Sequence, residues 1–431
     1  MISLPKKYYL VVNDKFELFY RGIIRAFNPY SKYVKATCDK GYTYPRYYTY
    51  TPKEGEEGEY ILTIAIYDDE GNIIESKDTT LVVINPVKPN RKVNVLCIGD
   101  SLTCSGHWAY WGSHRFQDEG EECLGFADTV NVFGKCKKVF DGKEIGVEGY
   151  GGWQWKTFCT DTANSPTSSL WVNCKHNKTD ADQHSVWVDG DLEWIIETIE
   201  ENRIKFKRGN NNASTKPNVT GVFKHLKNAV NEEDIVSDDW DFSEGNPFWN
   251  KEIDDIDFSN YVKVNDFPIP DYIYILLTWN GQYIPYNKDF SIHNEYATKM
   301  IRRIHNDFPL AKIVCMGIQI VCPNGGITAC YGANGYYHDW YADAITAFNY
   351  NEWLEAFTLR DEFKDYCVYA DVKGQFDSEY NMPYKLAKVN RRSDEVERIG
   401  INGIHPSTNG YIQIGDIFYR MLVYMLTKYE K

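Results

Sequence analysis

The chain contains no run of about 18 apolar residues, so no membrane-spanning helix is expected. Positive charge is scarce: 47 Lys and Arg stand against 61 Asp and Glu, for a net charge of −14. An acidic protein is a poor match for nucleic acid or for an anionic membrane surface, and it weakly repels polyanionic substrates. No CxxC pair occurs among the eleven cysteines, which are odd in number and scattered. That pattern fits reduced thiols in a core better than a disulfide framework. The start, Met1-Ile2-Ser3-Leu4-Pro5-Lys6, lacks the apolar segment of a secretory signal. A cytoplasmic location is the default expectation, with a virion-associated or non-classically exported role as the alternative. GxSxG, P-loop, HExxH and dinucleotide fingerprints are all missing, as are internal repeats and low-complexity runs. Cys174, His176 and His184 fit no strong metal spacing. Neither a metal nor any other cofactor is expected. Asn177, Asn212 and Asn218 open N-x-S/T triplets, read here as chance matches in polar segments.

What is present is enough for two domains: 431 residues, 43% of them hydrophobic. Short runs rich in β-branched and aromatic residues fall at 8–12, 16–20, 33–38, 60–67 and 79–84, with a hairpin turn at 68–72. Residues 1–88 therefore read as a small all-β sandwich of the immunoglobulin-like kind. A polar, Pro-containing linker, 85–91, marks the boundary. From residue 91 to 431 apolar strands alternate with helices. Strands are expected at 93–98, 272–277, 313–320 and 366–371, and helices at 294–306, 340–363 and 409–428. That alternation predicts an α/β domain with a parallel sheet covered on both faces. Residues 156–260 interrupt it as a polar insertion, expected near the carboxyl edge of the sheet, with a helix-like stretch at 192–205.

The first apolar strand ends in Gly99-Asp100-Ser101-Leu102. A serine on such a turn stands above the carboxyl edge of a sheet, where open α/β sheets place their ligands. Near the other end, Ile404-His405-Pro406 precedes a long apolar helix. A serine early and a histidine late, joined across a sheet, are the minimum for an activated serine nucleophile.

Gly99-Asp100-Ser101-Leu102 resembles the first block of the SGNH, or GDSL, hydrolases. The family's other blocks follow in order. Gly152, in Gly149-Tyr150-Gly151-Gly152-Trp153, resembles the second-block glycine, with Gly149 and Gly151 competing for the slot. Asn280, in Leu276-Leu277-Thr278-Trp279-Asn280-Gly281, resembles the third-block asparagine, and His405 matches the last-block histidine. The resemblance covers residues 91–431. It implies a flavodoxin-like three-layer domain and a serine esterase that needs no cofactor. It also implies Ser101 as nucleophile, His405 as base, and an oxyanion hole built from Ser101 N–H, Gly152 N–H and the Asn280 amide. Asp100 is read as a brace for the turn.

Two blocks depart from the family's pattern. The third usually reads Gly-x-Asn-Asp, and here it is Thr278-Trp279-Asn280-Gly281. The last usually reads Asp-x-x-His, and here Asn402 takes the place of the aspartate. Asn402 can still present Oδ1 to His405 Nδ1–H, without the charge that steadies an imidazolium. Asp377 or Asp371 could reach the histidine instead, or the site could be a dyad with a backbone carbonyl orienting the ring. Tryptophans crowd the motifs, and Trp153 and Trp279 are candidates to stack on a sugar, with core packing as the alternative. Together with the resemblance they suggest an O-acetylated carbohydrate as substrate. A lipid or thioester acyl hydrolase is the enzymatic alternative, and a catalytically weak glycan-binding protein is the non-enzymatic one. The expected partner is a small ester substrate, with no nucleic acid and no membrane insertion. The sequence leaves the oligomeric state open.

Overall fold

The apolar run that ends in Gly99 is β8, Val93–Gly99, and only Asn94 of its seven residues is not buried. The computed structural model describes residues 1–161, 170–173, 175–176, 178–189, 192–208, 224–225, 235–236, 246–281, 284–323 and 339–430. Residues 1–149, 267–294 and 308–431 form one compact unit, and residues 150–266 and 295–307 form another.

The first unit opens with two sheets. β1 (Lys7–Val11), β7 (Ile73–Ile84), β6 (Gly58–Tyr67) and β3 (Tyr33–Thr37) pair in that order, and β2 (Phe16–Phe19), β5 (Tyr47–Tyr50) and β4 (Tyr42–Thr43) make the second sheet. Their inward side chains share one core, with Tyr8, Leu10, Phe16, Leu18, Tyr48, Leu62, Ile64 and Leu81 all buried. The turn between β6 and β7 closes on Asp68, whose Oδ1 accepts from Glu70 N at 3.0 Å and Asn72 N at 2.7 Å. This is the carboxylate chemistry expected of the 68–72 turn.

The large sheet follows. β8 pairs in parallel with β12 (Tyr272–Leu276), β12 with β13 (Lys312–Met316), and β13 with β14 (Cys367–Ala370). On the other edge of β8, β9 (Val130–Phe133) lies along its first half. β11 (Lys143–Gly149) lies along its last two residues. β10 (Cys136–Phe140) pairs antiparallel with β11 at the rim. Counted by parallel strands the order is 2-1-3-4-5, and open sheets of this kind bind ligands where the order reverses. The reversal lies between β8 and β12. The continuous apolar strands are buried because helices cover such sheets.

Among the described residues, the helices of this unit are α1 (Ser101–Cys104), α2 (His107–Gln117), α3 (Ser291–Asp307, which continues into the second unit), α4 (Trp340–Thr358) and α5 (Thr408–Tyr429). α2 and α5 cross closely. A Cβ on Gly112 would come within 2.7 Å of the Gly415 carbonyl, so only glycine fits the crossing. Trp108 meets Phe418 edge-on beside it, with ring centroids 5.6 Å apart. Among the described residues no helix is long and apolar enough to cross a membrane.

The second unit corrects one expectation. Residues 192–205 are not helical: they form two antiparallel strands, Leu192–Glu200 and Arg203–Arg208. The β-branched Ile195, Ile196, Thr198 and Ile199 favour extended backbone, and Ile196 and Ile204 are fully buried between neighbours. Phe248 gathers Phe258 and Tyr261 at centroid distances of 4.4 and 4.6 Å in the same unit.

Candidate active site

At Gly99, where β8 ends, the neighbouring groups come too close for any side chain. A Cβ there would lie 2.3 Å from the Leu276 carbonyl of β12 and 2.1 Å from Thr103 Oγ1. Asp100 then caps α1, its Oδ1 accepting from Leu102 N at 3.0 Å. Ser101 is thereby the first helical residue, where backbone N–H groups have no carbonyl partner within the helix.

Asp100 is fully buried and does more than cap. Its Oδ2 accepts from Thr278 N at 2.9 Å, from the Thr278 hydroxyl, and from Asn280 Nδ2 at 3.2 Å. One carboxylate therefore ties the Ser101 turn to the segment after β12. Burial pushes its pKa up to about 6, against the pull of these hydrogen bonds. Asn280 donates one side-chain N–H to Asp100. His293, which is buried, bonds the Asn280 backbone, and desolvation lowers its pKa to about 4.

The histidine arrives from 304 residues away. Pro406 and the N-cap Ser407 begin α5, and His405 stands just before them. Its Nε2 lies 2.8 Å from Ser101 Oγ. Gln319, buried beyond β13, donates to the Ile404 carbonyl and so pins the loop. Burial pulls the His405 pKa below the usual imidazole value.

Asn402 is close to His405 but is turned the other way from the expectation. Its Oδ1 accepts from Ile404 N at 2.9 Å and His405 N at 2.8 Å, while its Nδ2 faces His405 Nδ1 at 3.5 Å. The two backbone amides claim the oxygen, leaving the NH₂ end for the ring. The rival carboxylates are engaged elsewhere. Asp377 accepts from Arg46 at 2.7 Å and from Glu379 N at 3.1 Å. Asp371 accepts from Tyr8, Tyr369 and Gly374 N, each at 2.9 Å, and pairs with Lys373.

The tryptophan expectation needs correcting. Trp153 and Trp279 are each 1% exposed, so neither offers a face to a sugar. Trp153 spends its ring on Tyr150, stacked at 4.4 Å, and on Phe158. Large aromatic rings release more water when packed than when left at a rim. Gly152, the expected middle donor, belongs to the second unit, in a turn with φ +80°. Cys174 and the three sequon asparagines lie outside the described residues. Thr278, His293 and Gln319 were not read from the sequence. Thr278 alone had a signal, standing two residues before Asn280.

No protein-family model matches the chain, and no curated protein matches it. Several solved structures do. A peptidoglycan O-acetylesterase aligns at 12% identity and TM-score 0.33, over 78% of this chain and 92% of that one. A protein from Streptococcus pneumonia, provisionally assigned as a platelet activating factor, aligns at 11% and 0.29, over 79% and 86%. A Chitinophaga pinensis DSM 2588 protein, provisionally assigned as a lipase, aligns at 14% and 0.25, over 40% and 77%. The sheet order and the site geometry, not these likenesses, carry the reading that follows.

Proposed function

We propose that this chain is a serine hydrolase of carboxylic esters. The observation that carries it is the 2.8 Å approach of Ser101 Oγ to His405 Nε2 at the strand-order reversal of a parallel sheet. Ser101 attacks the ester carbonyl, and unprotonated Nε2 takes its proton. Ser101 N–H and the Asn280 side-chain amide stabilise the oxyanion. The alcohol leaves with the proton held on His405, and water then releases the acyl group from Ser101. The substrate is a small ester, and the resemblance points to an O-acetylated carbohydrate. The buried Trp153 and Trp279 lend that choice no support. The two N-terminal sheets are read as an accessory sandwich of the immunoglobulin-like kind.

The test is hydrolysis of an aryl acetate by the wild type and by Ser101→Ala. Activity that is Ser101-dependent is expected, with the variant folded and at the background rate. Equal rates in the two would overturn the reading. A catalytically weak binding protein draws on one observation, the Asn402 amide turned toward His405.

A further inference from the structure

Asn402 occupies the position at which an acidic partner would accept from the Nδ1–H of His405. Its Oδ1 already accepts from two backbone amides, Ile404 N and His405 N, at 2.9 and 2.8 Å. Those donors fix which end of the side chain is oxygen. A reversed amide would set N–H against N–H twice. The NH₂ end is therefore the group that faces the imidazole, 3.5 Å from Nδ1. A neutral imidazole carries one proton, and the neighbour of one nitrogen selects which nitrogen holds it. An N–H turned toward Nδ1 favours a lone pair there and the proton on Nε2. Nε2 is the atom that faces Ser101 Oγ.

We propose that Asn402 is a positioning residue that holds His405 in the Nε2–H tautomer and so keeps the Ser101–His405 pair at rest. The proposal rests on the reading of Ser101 as nucleophile. In this tautomer His405 donates to Ser101 Oγ and cannot accept its proton. For attack, the Nε2 proton must leave and Nδ1 must gain one. The Nδ1–H then confronts the Nδ2–H of Asn402, so the competent form is the minor one. Gln319 and the Asn402 oxygen hold the backbone on both sides of Ile404, which fixes the point from which the His405 ring extends. In a serine protease site an aspartate-to-asparagine change that reverses the tautomer costs about 10⁴ in rate.

Asn402→Asp should undo the block. One carboxylate oxygen keeps both backbone amides, and the other replaces the NH₂ and accepts from Nδ1–H. The turn from 402 to 405 is preserved, because its hydrogen bonds go to an oxygen that both side chains have. The experiment measures ¹⁵N shifts of the histidine rings in wild type and Asn402→Asp, with His405 assigned from its loss in His405→Gln. It also measures kcat/KM on an aryl acetate. Expected are a bare Nδ1 and a protonated Nε2 in the wild type, the reverse in Asn402→Asp, and a kcat/KM gain of ~10²–10⁴. A protonated Nδ1 in the wild type overturns the proposal, as does a folded Asn402→Asp that gains less than tenfold. The wild-type spectrum decides even where the variant does not fold. Hydrolysis that stays independent of Ser101 in both proteins indicts the serine-hydrolase reading instead, and leaves the tautomer result to stand by itself.

Discussion

At the scale of single residues, the site turns on Asp100. Its carboxylate gathers Leu102 N, Thr278 N, the Thr278 hydroxyl and Asn280 Nδ2 while fully buried. Desolvation raises its pKa to about 6 when folded, against about 3.9 for an unfolded aspartate. The folded state therefore binds a proton that the unfolded state has released between these values. Stability from this group is fully present below about pH 4 and is lost as pH rises through about 6. Relative to Asp100→Asn, wild-type stability should fall by roughly 3 kcal/mol across that window, as read by urea unfolding at each pH. A pH-independent difference would contradict the assignment. The brace itself was legible in the sequence, because a carboxylate beside a turn serine is an N-cap in waiting. The Asn402 orientation was not legible. Residue identity names the donors and acceptors of an amide, while the backbone of Ile404 and His405 decides which end faces the ring.

At the scale of elements, Gly99 is where β8, β12 and α1 meet. A methyl group there would press on the Leu276 carbonyl and on Thr103 Oγ1, at 2.3 and 2.1 Å. Gly99→Ala should force β8 and β12 apart at the residue before the Asp100 cap. Urea unfolding should show a loss of about 1–3 kcal/mol, with aryl acetate hydrolysis falling alongside it. Unchanged stability and rate would mean that the strand ends yield more easily than their packing implies. The strands that build this junction were readable as apolar runs, because parallel strands covered on both faces have no polar side to show. β10 was not, since Cys136–Phe140 is partly exposed and carries two lysines. α2 also escaped, because Trp108, Ala109, Tyr110 and Phe116 crowd it and blur the polar stripe. The stretch 192–205 reads as helix-like in the sequence but is strand, because its mixed spacing hides the β-branched preference. Trp153 and Trp279 follow the core-packing alternative, because counting aromatic residues near a motif says nothing of whether their faces are already covered.

At the scale of the whole molecule, the net charge of −14 sets a field that every substrate crosses. An anionic ester should be disfavoured at low salt relative to a neutral ester of the same acyl group. Raising ionic strength from ~0.01 to ~0.15 M shortens the screening length from about 30 to about 8 Å, so the kcat/KM ratio of anionic to neutral ester should rise severalfold. A ratio insensitive to salt would place the site outside the protein's net field. The central claim is that Ser101 is a nucleophile activated by His405. A fluorophosphonate probe with peptide mapping by mass spectrometry tests it most directly. The account predicts a single phosphonyl adduct on Ser101, formed slowly in the wild type, faster in Asn402→Asp, and absent in Ser101→Ala. An unmodified Ser101 after prolonged exposure of the folded protein, or an adduct on another residue that persists in Ser101→Ala, would contradict it.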